Sequence, residues 1–73
     1  PLDRALALAD RAASMTQAAA AAKTRGSTEM ERFWLVTAIA GYEEVVSAIR
    51  PLEPELAAEF STTLLRLKRA LEG

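Results

Sequence analysis

The chain has 73 residues, no cysteine and no histidine, and a formal net charge of −1. This length accommodates one domain at most. The composition excludes a disulfide framework and argues against a structural zinc site. It also carries no basic excess, so we expect no nucleic-acid partner. We likewise expect no cofactor, no metal and no small-molecule substrate.

We expect no segment of this sequence to direct it into or across a membrane. Its longest uncharged run, Ala12 to Ala22, is well below the roughly 20 residues that cross a bilayer. Asp10 and Arg11 interrupt any apolar segment of a secretory signal near the amino terminus. We therefore expect no membrane partner and a cytoplasmic location.

The first predicted helix spans about residues 2–25. Asp3 suits its first turn, and Gly26 suits the left-handed position after its end. Its apolar residues form two seams, Leu2, Leu6, Ala9, Ala13 and Ala20, and Leu8, Ala12, Met15, Ala19 and Ala22. The seams together cover about half the circumference, wider than the stripe of about 100° on a helix with one neighbour. Helix 1 is therefore expected to contact two neighbours.

The second predicted helix spans about residues 28–50. Ser27 or Thr28 is expected to cap it, and Thr28 with Glu31 matches a capping box. Pro51 requires the helix to stop by the preceding residue. Its core face is predicted to comprise Leu35, Ala38, Ile39, Tyr42, Val45, Val46 and Ile49, with Trp34 at the margin.

The third predicted helix spans about residues 54–72 and begins at Pro54, a residue favoured in a first turn. Its apolar stripe consists of Leu56, Phe60, Thr63, Leu64, Leu67 and Leu71. Acids precede bases along each helix, as the helix dipole prefers, which accounts for Arg66, Lys68 and Arg69 without an anionic ligand.

These elements predict an all-α fold: an antiparallel helical hairpin with a third helix, forming one domain over residues 1–73. Helices 1 and 2 are about 33 Å long and are joined by a short break, which favours side-by-side packing. The alanine face of helix 1 lets helix 2 approach closely and carry the large residues as the middle layer. Met30, Thr37, Gly41 and Ala48 offer a matching low surface.

Alanine supplies much of the 51% hydrophobic content and buries little area per residue. A core this thin, in a chain without a disulfide or metal, is typical of domains that need a further stabilising contact. We therefore expect a second copy, as in a dimer, or a larger helical protein to complete the three-helix bundle.

Several apolar residues lie outside the predicted core stripes. Phe33 projects about 160° from Leu35, and Leu65 lies opposite the stripe of helix 3. Apolar residues that gather on a small chain can mark a contact surface. For Phe33, contact with another chain, burial against helix 1 or 3, and plain exposure are all open. The predicted partner-binding residues are Phe33, Leu65, Leu8, Met15 and Met30.

Catalytic chemistry finds little support in the sequence. Without histidine or cysteine, the commonest general base and the cysteine nucleophile are absent. Glu43 and Glu44 point about 100° apart on a helix and cannot share a proton or metal within one chain. Tyr42 lies in the core stripe. An all-α enzyme working through arginine, lysine and glutamate remains a third alternative, although the charges of residues 11–25 do not match the helical chorismate mutases.

We therefore expect a non-catalytic interaction module that dimerises or docks on helices of a larger partner, such as an adaptor, small chaperone, assembly factor or inhibitor. The alternative is a small helix-turn-helix DNA-binding regulator. Glu29 and Glu31 weaken that alternative, because acids at the start of a recognition helix would face phosphates.

Overall fold

A computed structural model describes residues 2–73, and Pro1, the first residue of the predicted domain, lies outside the described residues. Three α-helices account for nearly all of this range: α1 is Leu2–Thr24, α2 is Thr28–Ile49 and α3 is Pro54–Glu72. The prediction of an all-α fold with three helices is confirmed. Helices α1 and α2 each end one residue earlier than predicted.

The turn between α1 and α2 is set by Gly26. Its φ of 80° is the left-handed conformation that glycine adopts without steric cost. The N–H of Gly26 donates to the Lys23 carbonyl, and the N–H of Ser27 donates to the Ala22 carbonyl. These two bonds form the Schellman arrangement that satisfies the last carbonyls of a helix. The turn therefore ends α1 and starts α2 within three residues.

The start of α2 differs from the sequence expectation. Ser27 occupies the N-cap position, and its side chain makes no capping hydrogen bond. With Ser27 as the cap, the third helical residue is Met30, which has no group that could complete a capping box. The predicted pairing of Thr28 with Glu31 as a capping box is therefore wrong.

Helix α2 is the central element of the fold, because it packs against α1 on one flank and against α3 on the other. Within residues 2–73, no Cα atom of α1 lies within 8 Å of a Cα atom of α3, although buried residues of both helices belong to the same apolar clusters. The helices form a layer with Cα extents of 39 × 20 × 13 Å. In the single chain, α1 therefore approaches one helix closely, whereas two neighbours were expected.

The difference from the expectation follows from the part of α1 that α2 contacts. The contact buries the inner edges of both predicted seams and the alanine between them: Ala5 between the seams, Ala9 of the first, and Ala12, Ala19 and Ala22 of the second. The outer members of both seams, including Leu6 on one side and Leu8 on the other, remain only half-buried. The apolar arc of α1 is thus wider than the surface that α2 covers.

The buried core is thin, as the composition indicates. Within residues 2–73, thirteen residues are buried, and seven of them are alanine: Ala5, Ala9, Ala12, Ala19, Ala22, Ala38 and Ala57. In this range only Val45 and Ile49 are large side chains with almost no exposure. Of the seven residues predicted on the core face of α2, six are buried and Ile39 remains half-buried. Tyr42 is buried, as predicted for a core residue.

Candidate interaction surface

The two flanks of α2 can be located from its contacts. A Cβ at Gly41 would lie 3.2 Å from the Ala12 Cβ, so Gly41 marks the flank that meets α1. The Glu43 carboxylate lies 3.3 Å from the Lys68 ammonium, so Glu43 marks the flank that meets α3. At about 100° per residue, the two flanks divide the circumference of α2 into two arcs. One arc carries the buried core residues, and the other, the outward arc, faces neither neighbour.

That arc carries an exposed apolar surface, which we call the outward face. The exposed fractions are 55% for Phe33, 53% for Val36 and 44% for Met30. Ala40 is also exposed, and Thr37 is partly exposed. These five residues define the outward face. Met30, Phe33 and Val36 follow one another at intervals of three residues, and Thr37 and Ala40 each lie four residues after Phe33 and Val36, so their side chains are neighbours on the helix surface.

The aromatic ring of Phe33 is held by a contact with the core. Its ring packs edge to face against Trp34, with centroids 5.1 Å apart and planes at 75°. Trp34 in turn packs against the buried cluster that contains Ala19 and Ala38. Aromatic pairs prefer this T-shaped geometry. Phe33 is therefore an exposed aromatic side chain on a rigid support, which is typical of binding hot spots.

Thr37 contributes little polarity to the outward face. Its hydroxyl Oγ1 donates a hydrogen bond of 2.8 Å to the carbonyl of Phe33, one turn earlier. Because the hydroxyl is already satisfied within α2, covering Thr37 with another apolar surface would not leave an unpaired donor. The face is consequently suited to an apolar contact along its whole length.

The remaining predicted partner-binding residues, Leu8, Met15 and Leu65, lie outside α2. Leu8 lines a shallow depression with Arg4, Arg11 and Glu44, and Glu44 lies on the outward arc of α2. Met15 is two turns after Leu8 on the same side of α1 and is half-buried against the core. Leu65, exposed at 49%, lies one turn before Lys68 on α3. The structure therefore places Leu8 beside the outward arc, whereas Met15 and Leu65 lie on the helices to either side of α2.

Of the three alternatives for Phe33, the structure removes one, and contact with another chain and plain exposure stay open. Burial against helix 1 or helix 3 of the same chain is excluded, because more than half of the side chain is exposed. Met30 was expected to contribute to the low surface facing α1, and so was Ala48, but both are exposed. Of that predicted surface, Gly41 makes the close approach to α1.

Sequence reasoning missed Val36 and Leu52. Val36 lies three residues after Phe33 and belongs to no core stripe, which is the signal that would have placed it on the outward face. Leu52 is exposed at 50% in the turn between α2 and α3, at the end of α2 opposite Met30. Leu52 therefore serves as an exposed apolar residue outside the outward face.

Charged and polar groups of residues 2–73 lie at the surface without forming a metal-binding cluster. Within residues 2–73, no polar or charged side chain is buried, and no three carboxylates group closely enough to hold a metal ion. In the same range, no helix combines the length and apolar character that a bilayer crossing requires. The chemistry available on this surface is apolar contact bordered by charges.

Comparisons with known proteins add no identity to this description: no protein-family model, curated protein sequence or solved structure matches the chain.

Proposed function

We propose that the protein is a non-catalytic interaction module that works by covering its outward face with a helix of another polypeptide. The observation that carries the proposal is the exposure of Met30, Phe33 and Val36 on one face of the central helix. Contiguous apolar surface at this density on a small chain is typical of a contact site. An adaptor, a small chaperone, an assembly factor and an inhibitor would all use such a face.

The composition of the core supports the same proposal. More than half of the buried residues are alanines, which contribute little area to the hydrophobic stabilisation. Covering Phe33 and its neighbours would bury larger side chains than most of those inside the chain. Association would therefore add substantially to the stability of the fold.

The alternative of a helix-turn-helix regulator gains no support from the packing. A recognition helix needs a free face that suits the phosphates and base edges of a duplex. The free face of α2 is apolar and carries Glu29 and Glu44 at its ends. Binding to a random DNA duplex at low salt would support the alternative, and we expect none.

The proposal is tested by sedimentation equilibrium of the purified chain, with helicity followed by circular dichroism. Phe33→Ala removes the central aromatic ring of the outward face, and Leu52→Ala removes an equally exposed leucine elsewhere. We expect association in the unmodified chain, loss of it in Phe33→Ala, and no change in Leu52→Ala. A fully helical monomer at all concentrations, unaffected by either substitution, would contradict the proposal.

A further inference from the structure

The central helix carries a second apolar stripe besides the one it uses inside the chain. Along the outward arc, residues recur at alternating intervals of three and four, which is the spacing of a coiled-coil seam. The stripe reads Met30, Phe33, Thr37, Ala40, Glu44 and Ser47. Three of its first four residues are apolar, and the other, Thr37, has its hydroxyl hydrogen-bonded within α2. Its last two residues, Glu44 and Ser47, are polar. The apolar part spans about 15 Å at 1.5 Å per residue.

Building on the proposed function, we infer that the occupant of this stripe is a second copy of the same chain, with the two α2 helices antiparallel across a two-fold axis. Closed dimers of this kind bury the same patch on both subunits, so a patch that is complementary to itself is required. The stripe meets that requirement in side-chain size and in charge.

Side-chain size selects the register. An antiparallel pair centred on residue 35 sets Phe33 against Thr37 of the second copy and Met30 against Ala40 of the second copy. Each large side chain then meets a smaller one, and all four layers are apolar contacts. A shift by one heptad toward the carboxyl end would set Phe33 against Glu44 of the second copy, which would desolvate a carboxylate.

Charge selects the antiparallel orientation. In this register Glu44 lies opposite position 26 of the second copy, just before the start of its α2. There the helix dipole is positive and Arg25 adds a positive charge, while Glu29, one turn further along, adds a negative one. Ser27 provides no side-chain cap, so the first N–H groups of α2 remain open to a carboxylate. Within residues 2–73, Glu44 forms no ion pair of its own, and Arg4 and Arg11 of the same chain line the depression beside it.

A parallel pair would bring like charges together instead. Glu44 would face Glu44 of the second copy, and Glu29 would face Glu29, at the two ends of the apolar stripe. Like charges at close range oppose association. Glu44, which favours an antiparallel pair, therefore disfavours a parallel one.

Disulfide trapping tests the orientation directly, because the chain has no cysteine of its own. Met30 and Ala40 are both exposed, so Met30→Cys and Ala40→Cys leave the core undisturbed. We expect a mixture of the two variants to give a mixed disulfide under mild oxidation. Each variant alone should give little dimer, because like positions are about 15 Å apart and a disulfide needs Cβ atoms within about 4.5 Å.

The control for random collision is Ala21→Cys, an exposed position of α1 that faces away from α2. If Met30→Cys alone and Ala40→Cys alone each formed more disulfide-linked dimer than this control, the two α2 helices would be parallel. That result would overturn the inferred orientation. That outcome would leave the proposed function standing, since the outward face would still be the contact. A mixed disulfide no more abundant than the control would overturn the inferred register.

The charge contact is tested by Glu44→Lys, with Glu59→Lys as the matched control. Glu59 is an exposed glutamate of α3, and the two substitutions change the net charge equally. We expect Glu44→Lys to weaken dimerisation about tenfold, since two symmetric carboxylate–dipole contacts are lost. Glu59→Lys should change the dissociation constant by less than about twofold.

Equal weakening by both substitutions would overturn the pairing of Glu44 with the start of α2. Because the outward face is short, we expect a weak dimer. The oligomeric mass is therefore measured at protein concentrations between about 1 μM and 1 mM. A monomer throughout that range would overturn the second copy as occupant. Dimerisation that Phe33→Ala leaves unchanged would contradict the proposed function as well, because the outward face would then not be the contact.

Discussion

The two interfaces of the central helix are built from different materials. On the α1 side, small residues meet, and Gly41 packs so closely on Ala12 that a Cβ would lie only 3.2 Å from it. On the α3 side, large side chains meet: the Tyr42 and Phe60 rings have centroids 5.9 Å apart, and Leu67 is buried. The first contact depends on close approach, and the second depends on volume.

This difference explains why the outward face is left open. Alanines on α1 draw α2 near but cover little of its surface, while α3 covers the opposite flank with its larger side chains. Within residues 2–73, no element covers the outward arc, where Phe33 and Val36 are exposed. We therefore expect the stability of the α1 contact to be sensitive to added side-chain volume and that of the α3 contact to lost side-chain volume. The ion pair between Glu43 and Lys68 should contribute least.

The largest effect is expected from Ala12→Leu. Ala12 is almost fully buried against Gly41, so a leucine would push α1 and α2 apart. Overpacking of this kind costs about 3 kcal/mol in the free energy of unfolding. Ala21→Leu is the matched control, because Ala21 is an exposed alanine of the same helix and should cost less than about 0.5 kcal/mol. Urea unfolding followed by circular dichroism measures both, and similar costs would show that close approach is unimportant.

A somewhat smaller effect is expected from Leu67→Ala on the α3 side. Leu67 is 7% exposed and belongs to the cluster that contains Leu35 and Tyr42. Removing it should lower the free energy of unfolding by about 2 kcal/mol, through lost burial and a residual cavity. Leu65→Ala, at an exposed position two residues earlier, should leave the stability of the monomer nearly unchanged. If the two variants unfolded at the same urea concentration, α3 would not be held by the volume of its buried side chains.

The smallest effect is expected from the ion pair between Glu43 and Lys68. About half of each side chain is exposed, so water and salt screen the interaction. We expect Glu43→Gln to lower the free energy of unfolding by at most about 0.5 kcal/mol, and less as salt is added. Thermal unfolding at low and high salt measures this. A loss above about 2 kcal/mol would show that charge, and not volume, secures α3.

The sequence predicts the elements of this fold well because their signals are local. Gly26 and Pro54 define helix boundaries by backbone conformation alone, and the structure places both as expected. The core stripe of α2 follows from periodicity. The capping box fails because its assignment depends on which of two adjacent hydroxyl residues becomes the cap, and that choice depends on the geometry of the preceding turn.

The arrangement around α2 is harder to predict from the sequence. Periodicity gives the direction of each side chain about its own helix, but it does not give the angle between two neighbours of that helix. The double seam of α1 therefore indicated two close neighbours, whereas in the structure α1 approaches one helix closely and leaves Leu6 and Leu8 half-buried. For the same reason Phe33 was predicted as a contact residue while Val36, on the same face, was missed.

The central claim is that this thin alanine core depends on a second polypeptide that covers the outward face. The most direct test is the urea midpoint of unfolding, measured across a wide range of protein concentration. Because association stabilises only the folded chain, we expect the midpoint to rise with concentration in the unmodified protein and to stay constant in Phe33→Ala. A midpoint of the unmodified protein that does not move with concentration would contradict the account.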